Sequence, residues 1–313
     1  MSDAAPAWLW MTFATVLTVF LGMDLFLHRG HRESSRRAAV VWSVVWIAAG
    51  LLFAVLVWGA LGDQRAIEYI AAYAIEKSLS LDNLFVFLII FKSLSIPKES
   101  QRTALSWGVF GALVFRAIFI FLGAAALQRW EWIVYVFAVL LLVAAWRAFR
   151  GVPKEEQENA LVSFLARYLP MSKSTTATSF FVREGGAWCA TRLFLAVLAL
   201  ELTDILFAID SVPAALAISR NEFIVYSSNA FAILGLRSLY IVMAHTIAEM
   251  RYLHYGLAGV LAFAAFKLLT EEWIHIPPLL SVAILLVLIG GAVGASLRVG
   301  GAQPSDAEPP ATT

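Results

Sequence analysis

Apolar runs long enough to fill the ~30 Å hydrocarbon layer of a bilayer recur along the chain at about residues 8–28, 38–61, 67–92, 105–127, 132–149, 193–218, 223–248, 255–270 and 277–297. They predict an all-α, polytopic membrane protein of about nine transmembrane helices. The run at 67–92 is the least apolar because it carries Glu76 and Asp82. The run at 193–218 carries Glu201, Asp204 and Asp210. A carboxylate at the bilayer centre costs about 2.5–3.5 kcal/mol on insertion scales. Five facing lipid would cost on the order of 12–18 kcal/mol, as much as the whole stability of a typical fold, about 5–15 kcal/mol. These acids are therefore expected to face protein, water or a bound cation.

Composition agrees with a membrane protein: 61% of the 313 residues are hydrophobic and 14% are charged, against about 25% charged in a soluble domain. The N-terminal run has no basic region before it and is read as a retained span rather than a signal peptide. The single cysteine, Cys189, forbids an internal disulfide. The sequence offers no zinc-spaced Cys/His cluster and nothing suited to nucleic acid.

Loop cations set the expected orientation. Sixteen Lys and Arg residues fall on one side: Arg29, Arg32, Arg36, Arg37, Lys92, Lys98, Arg102, Arg147, Arg150, Lys154, Arg167, Lys173, Arg183, Arg192, Arg251 and Arg298. Four fall on the other: Arg65, Arg129, Arg220 and Lys267. The bias predicts the N-terminus outside and the C-terminus in the cytoplasm. It also makes 150–192 a cytoplasmic connector, too small and polar to hold a core of its own. The Pro- and Ala-rich tail 301–313 is expected to be disordered.

Residues 82–147 align with 204–267. Asp82-Asn-Leu-Phe matches Asp204-Ile-Leu-Phe, Phe110-Gly-Ala-Leu-Val-Phe-Arg116 matches Phe231-Ala-Ile-Leu-Gly-Leu-Arg237, and Ala144-Ala-Trp-Arg147 matches Ala264-Ala-Phe-Lys267. Each copy holds three spans, so the second enters the membrane from the opposite face, as in transporters built from inverted repeats. The expected organisation is two N-terminal helices (1–66), a first three-helix repeat (67–149), the connector (150–192), a second repeat (193–270) and a last helix (271–300).

In unbroken helices Glu76 and Asp82 would stand about 9 Å apart along the axis, and Glu201 and Asp210 about 13.5 Å apart on nearly opposite faces. One ion cannot reach all five, so either the spans are interrupted or there are two stations along a path. Pro213 is the candidate helix break, because it lacks an N–H and crowds the Ile209 carbonyl. Ser78, Ser80 and Asn83 could satisfy or compete for backbone groups in the first acidic span. Carboxylates, hydroxyls and freed carbonyls are hard ligands suited to Mg2+, Ca2+ or Mn2+. Within the spans Lys77, Arg116 and Arg237 offset three of the five charges, leaving two. Arg116 and Arg237 read as counter-charges, since guanidinium cannot bind a metal. Asn229 reads as a packing residue within reach of the site, His245 as a packing residue, and Asp24, Glu68 and Glu249 as solvated acids at span ends.

The motifs Glu76-Lys-Ser-Leu-Ser-Leu-Asp-Asn-Leu-Phe, Glu201-Leu-Thr-Asp-Ile-Leu-Phe-Ala-Ile-Asp-Ser-Val-Pro-Ala and Ser228-Asn-Ala-Phe-Ala-Ile-Leu-Gly-Leu-Arg-Ser-Leu-Tyr240 resemble those of the TerC/Alx family of integral membrane proteins. The resemblance spans about residues 8–297. It implies a relative of the LysE-type exporters in a bacterial inner membrane, linked to manganese export and, by name, to tellurium resistance. It further implies that Glu76, Asp82, Glu201, Asp204 and Asp210 handle the ion. The expected function is a secondary transporter exporting a divalent cation, Mn2+ foremost, in exchange for protons. Lipid, metal ion and protons would be its partners, without a prosthetic group or enzymatic activity. The alternative is a non-transporting membrane scaffold or insertion partner whose buried charges are structural. An intramembrane aspartyl protease is weak, because Phe-Ala-Ile precedes Asp210 where a Gly-x-Gly-like motif would be required.

Overall fold

A computed structural model describes residues 5–27, 36–150, 162–172, 179–184, 186–243, 252–270, 273–274 and 276–300. The helices are α1 (Ala7–Leu27), α2 (Arg36–Leu61), α3 (Asp63–Ser93), α4 (Lys98–Arg129), α5 (Ile133–Arg150), α6 (Arg192–Ile218), α7 (Glu222–Ile233), α8 (Leu236–Met243), α9 (Leu253–Thr270) and α10 (Pro278–Gly300). Among the described residues, each apolar run read from the sequence falls largely on helix. Four helical stretches, Arg37–Leu61, Lys98–Arg129, Ile133–Arg150 and Leu279–Ser296, are long and apolar enough to cross a membrane. The bent pair α7–α8 makes a fifth if it is one span. Charge in α3 and α6 lowers their apolarity, as the acidic motifs require.

Local chemistry sets the helix ends. Gly62, at φ 87°, lets α2 turn into α3. Pro97 precedes α4, where its missing N–H costs nothing. The Thr191 side chain accepts from the Phe194 N–H at the start of α6, and the Asn221 side chain accepts from the Ile224 N–H at the start of α7. Both are N-caps of the kind that satisfy an otherwise orphaned donor.

Two expectations are corrected. α6 runs unbroken through Pro213 to Ile218, so the proline removes one hydrogen bond without ending the helix. The interruption falls in the next span. There α7 stops at Ile233, Gly235 adopts φ 82°, and α8 departs at 40°. Only a residue without a Cβ takes this backbone conformation at low cost. The site is also crowded, since a Cβ at Gly235 would lie 2.6 Å from the Trp46 Cβ.

The connector also departs from expectation, being more than a plain loop within this all-α architecture. Within the connector, β1 (Phe181–Glu184) and β2 (Ala187–Ala190) form an antiparallel hairpin pairing Phe181 with Ala190 and Glu184 with Ala187. Residues 162–168 are helical, and Val162, Leu165, Leu169, Met171 and Phe180 join the main apolar core. The connector thus borrows the membrane portion's core. His245, Glu249, Arg251, the first-loop arginines 29 and 32, Lys154, Lys173 and the tail lie outside the described residues, as do the side chains of Asp24, Arg36, Asp82 and Arg298.

Packing centres on α3, α4, α6 and α7. α3 lies against α6 and α7, α4 against α6 and α7, and α5 against α9. α2 flanks α3 and α8, while α10 covers α3 and α9. α1 is held by rings: Phe13 packs edge-on to Phe53, Phe223 and Phe231, and Phe53 and Phe231 are 4.6 Å apart between centroids. Outward apolar residues such as Leu52, Leu122, Val139 and Val287 are exposed, as suits faces covered by lipid rather than protein.

Candidate ion-handling site

Four helices meet around one guanidinium. Arg116 projects from the middle of α4 and is 1% exposed. Its Nε and Nη2 donate to the two carboxylate oxygens of Asp204 on α6, at 3.3 and 3.0 Å. Its Nη1 donates to Glu76 Oε1 on α3, to Asn229 Oδ1 on α7 at 3.2 Å, and to Ser211 Oγ on α6 at 3.4 Å. The Asn229 amide returns a hydrogen bond to Glu76 Oε2 at 2.9 Å. Ser80, one turn along α3, donates to Glu76 Oε1 at 3.4 Å. Such a fork-to-carboxylate arrangement fixes direction as well as charge.

Burial makes this network consequential. Glu76 is 1% exposed and Asp204 is 4% exposed, so neither can be hydrated freely. A buried ion pair is tolerated only when further hydrogen bonds satisfy the remaining lone pairs and protons. Ser80, Ser211 and Asn229 do that here. Two carboxylates against one guanidinium leave a formal charge of −1 when both acids are ionised.

The remaining candidates are placed differently. Glu201 shares α6 with Asp204 but turns toward α4, where a Cβ on Gly111 would occupy the space of its carboxylate. Its Oε2 is enclosed without a hydrogen-bond partner. Asp210 is half-buried on α6. Asp82 lies on α3, with its side chain outside the described residues. Asn83 is buried, and Ser78 donates back to the Ala74 carbonyl of its own helix at 2.7 Å. Arg237, on α8, is buried and donates to Ser106 Oγ on α4 at 3.2 Å. Lys77 leaves Glu76 behind and reaches the carbonyls of Ala232 and Leu234 at 3.0 and 3.4 Å.

Glu76 and Asp204 thus meet at one point, on Arg116. Among the described residues no group of three His, Cys, Asp or Glu side chains is assembled to hold a metal. Sequence reasoning missed Ser211, although its place beside Asp210 put it in the motif. It also misjudged Glu68, which is 5% exposed rather than solvated. Glu68 accepts from Ser219 Oγ at 2.6 Å and from Arg65 at 2.8 Å, tying the start of α3 to the end of α6.

Comparison with known proteins matches residues 61–303 to the family described as integral membrane protein TerC. An uncharacterized membrane protein of Myxococcus xanthus is 39% identical over 306 residues, covering 96% of each chain. The Alx protein of Escherichia coli (strain K12), described as a candidate membrane-bound redox modulator, is 36% identical over 301 residues, covering 92% of this chain and 94% of that one. An uncharacterized membrane protein of Rickettsia bellii is 32% identical over 283 residues, covering 90% of this chain and 94% of its own. No solved structure matches. The polytopic helical architecture and the acidic motifs together with these matches establish that the chain belongs to the TerC family of integral membrane proteins.

Proposed function

We propose that this protein is a secondary transporter that exports a divalent cation, Mn2+ foremost, from the cytoplasm in exchange for protons. The observation carrying this reading is the Glu76–Arg116–Asp204 cluster, in which one internal cation pairs with an acid from each proposed half of the molecule. A site of this kind holds its carboxylates occupied while empty of cargo. An arriving cation would have to displace the guanidinium, and its departure would let Arg116 return. Hard oxygen ligands suit Mn2+, and the freed carboxylates would supply them.

The packing supports two inverted repeats. The first helix of each half meets the second helix of the other, α3 on α7 and α4 on α6, and the third helices α5 and α9 meet each other. A pseudo-two-fold axis generates that pattern. Within this reading the protein has nine spans, sits in a bacterial inner membrane with its N-terminus outside, and works with neither prosthetic group nor catalysis. The E. coli relative's description as a redox modulator points to no intramolecular disulfide switch here, because the chain has one cysteine. Under this reading a redox effect would follow from the ion moved.

Manganese efflux from reconstituted vesicles, with and without an imposed pH gradient, tests the proposal. Glu76→Gln and Asp204→Asn keep side-chain shape and should abolish flux while the protein remains folded. Flux surviving both changes would end the case for these residues.

One observation favours the second reading, a membrane scaffold or insertion partner. Each nitrogen of Arg116 donates to a neighbour, and the neighbours come from three other helices, which is also what a structural clasp would look like. In that case the same substitutions would lower assembled yield and leave no flux to lose.

A further inference from the structure

Lys77 follows Glu76 in sequence, yet its ammonium is committed to a different place. It donates to the Ala232 carbonyl at 3.0 Å and to the Leu234 carbonyl at 3.4 Å. Ala232 lies in the last turn of α7, and Leu234 is the residue just after it, where the chain bends by 40° into α8. A helix that stops there leaves its final carbonyls without intrahelical donors. Its aligned peptide dipoles concentrate roughly half a negative charge at the same end. Ala232 and Leu234 are 0% and 2% exposed, so these oxygens cannot turn to bulk water. On the other side the Trp46 side chain closes against Gly235.

Carbonyl oxygens at the C-terminal end of a half-helix are ligands for small cations within membrane proteins. Here that end already holds one, tethered to α3. We propose that the C-terminal end of α7 is a monovalent-cation site which this chain fills with its own Lys77 ammonium. With the side chain removed, the site takes up a potassium ion or a small alkylammonium. The assignment rests on the helix break and the ammonium in it, and stands whether or not the Arg116 cluster moves manganese. It also explains why a lysine in a membrane span aims its ammonium at a half-helix end, whose dipole takes the role of an anion.

The test is chemical rescue of stability in detergent-solubilised protein. Unfolding midpoints of the unmodified chain and of Lys77→Ala are followed against potassium chloride or methylammonium chloride, with choline chloride holding ionic strength constant. The expected result is a lowered midpoint for Lys77→Ala in choline and a rise in potassium or methylammonium that saturates with concentration, as mass action requires of a ligand binding the folded state. The unmodified chain should show no such rise. An equal rise in both proteins, or none in Lys77→Ala, overturns the proposal. Lys77→Met, which keeps the apolar stem, runs in the same series should Lys77→Ala fail to fold. Folded yield that depends on potassium or methylammonium counts for the site. Yield indifferent to the cation, or failure in every buffer, counts against it.

Discussion

Arg116 and Asp204 lie 88 residues apart in sequence and meet through two parallel hydrogen bonds, Nε to Oδ2 at 3.3 Å and Nη2 to Oδ1 at 3.0 Å. The contact joins α4 to α6. Both groups are enclosed, so each charge is balanced by protein rather than by bulk water.

Removing that arginine should therefore destabilise strongly. Arg116→Leu strands Glu76 and Asp204 and is expected to cost about 3–5 kcal/mol, the range for breaking a buried pair from one side. Arg116→Lys restores the charge but not the fork and should recover only part of the loss. Unfolding midpoints in detergent read both effects. A midpoint for Arg116→Leu indistinguishable from the unmodified chain would show that the cluster carries no structural weight.

The bend between α7 and α8 depends on Gly235. Gly235→Ala meets a left-handed backbone conformation and the Trp46 side chain at once, and should cost about 1–3 kcal/mol. Trimming the neighbour, in Trp46→Ala with Gly235→Ala, would relieve the clash and leave the backbone cost. The two contributions separate in a double-mutant cycle of denaturation free energies.

Glu201 and Gly111 should couple in the same sense. Gly111→Ala requires the Glu201 carboxylate to leave its place against α4, while Glu201→Ala vacates that place beforehand. A coupling energy of about 0.5–3 kcal/mol is expected for residues in contact. Additivity within about 0.5 kcal/mol would mean that the two do not touch.

Glu68 offers a prediction outside the Arg116 cluster. Glu68→Ala leaves Ser219 Oγ and Arg65 without their acceptor, and hydrogen bonds to charged groups contribute about 1.5–3 kcal/mol each at most. Loss of roughly that size from one bond, with hydrogen exchange rising at the α6–α7 junction, is the expected outcome. Protection unchanged at Ser219–Asn221 would refute the tie.

Much of this was legible in the sequence because charge inside an apolar run has few explanations. Glu76, Arg116 and Asp204 each stood out that way, and they meet, joined by Asn229, which read as a packing residue within reach. Their pairing was harder to read, since it depends on how α3, α4, α6 and α7 cross. Periodicity within one helix does not carry that information. Pro213 misled for a related reason: a proline deep in a packed helix loses one hydrogen bond, and neighbouring helices hold the rest. Gly235 gave a weaker local signal but had a φ of 82° to supply. Glu68 looked solvated because it sits near a helix end, yet the α6–α7 turn folds back over it.

One guanidinium answers to two acids on different helices, and under the transport proposed above, with one acid in each half, this limits how the molecule can change shape. Swinging either half away must leave Arg116 with one carboxylate and strip it from the other. The abandoned acid then has to find a proton or a guest before the barrier is passable. An idle molecule would stay shut, which is what a membrane holding a voltage and a proton gradient demands of anything embedded in it.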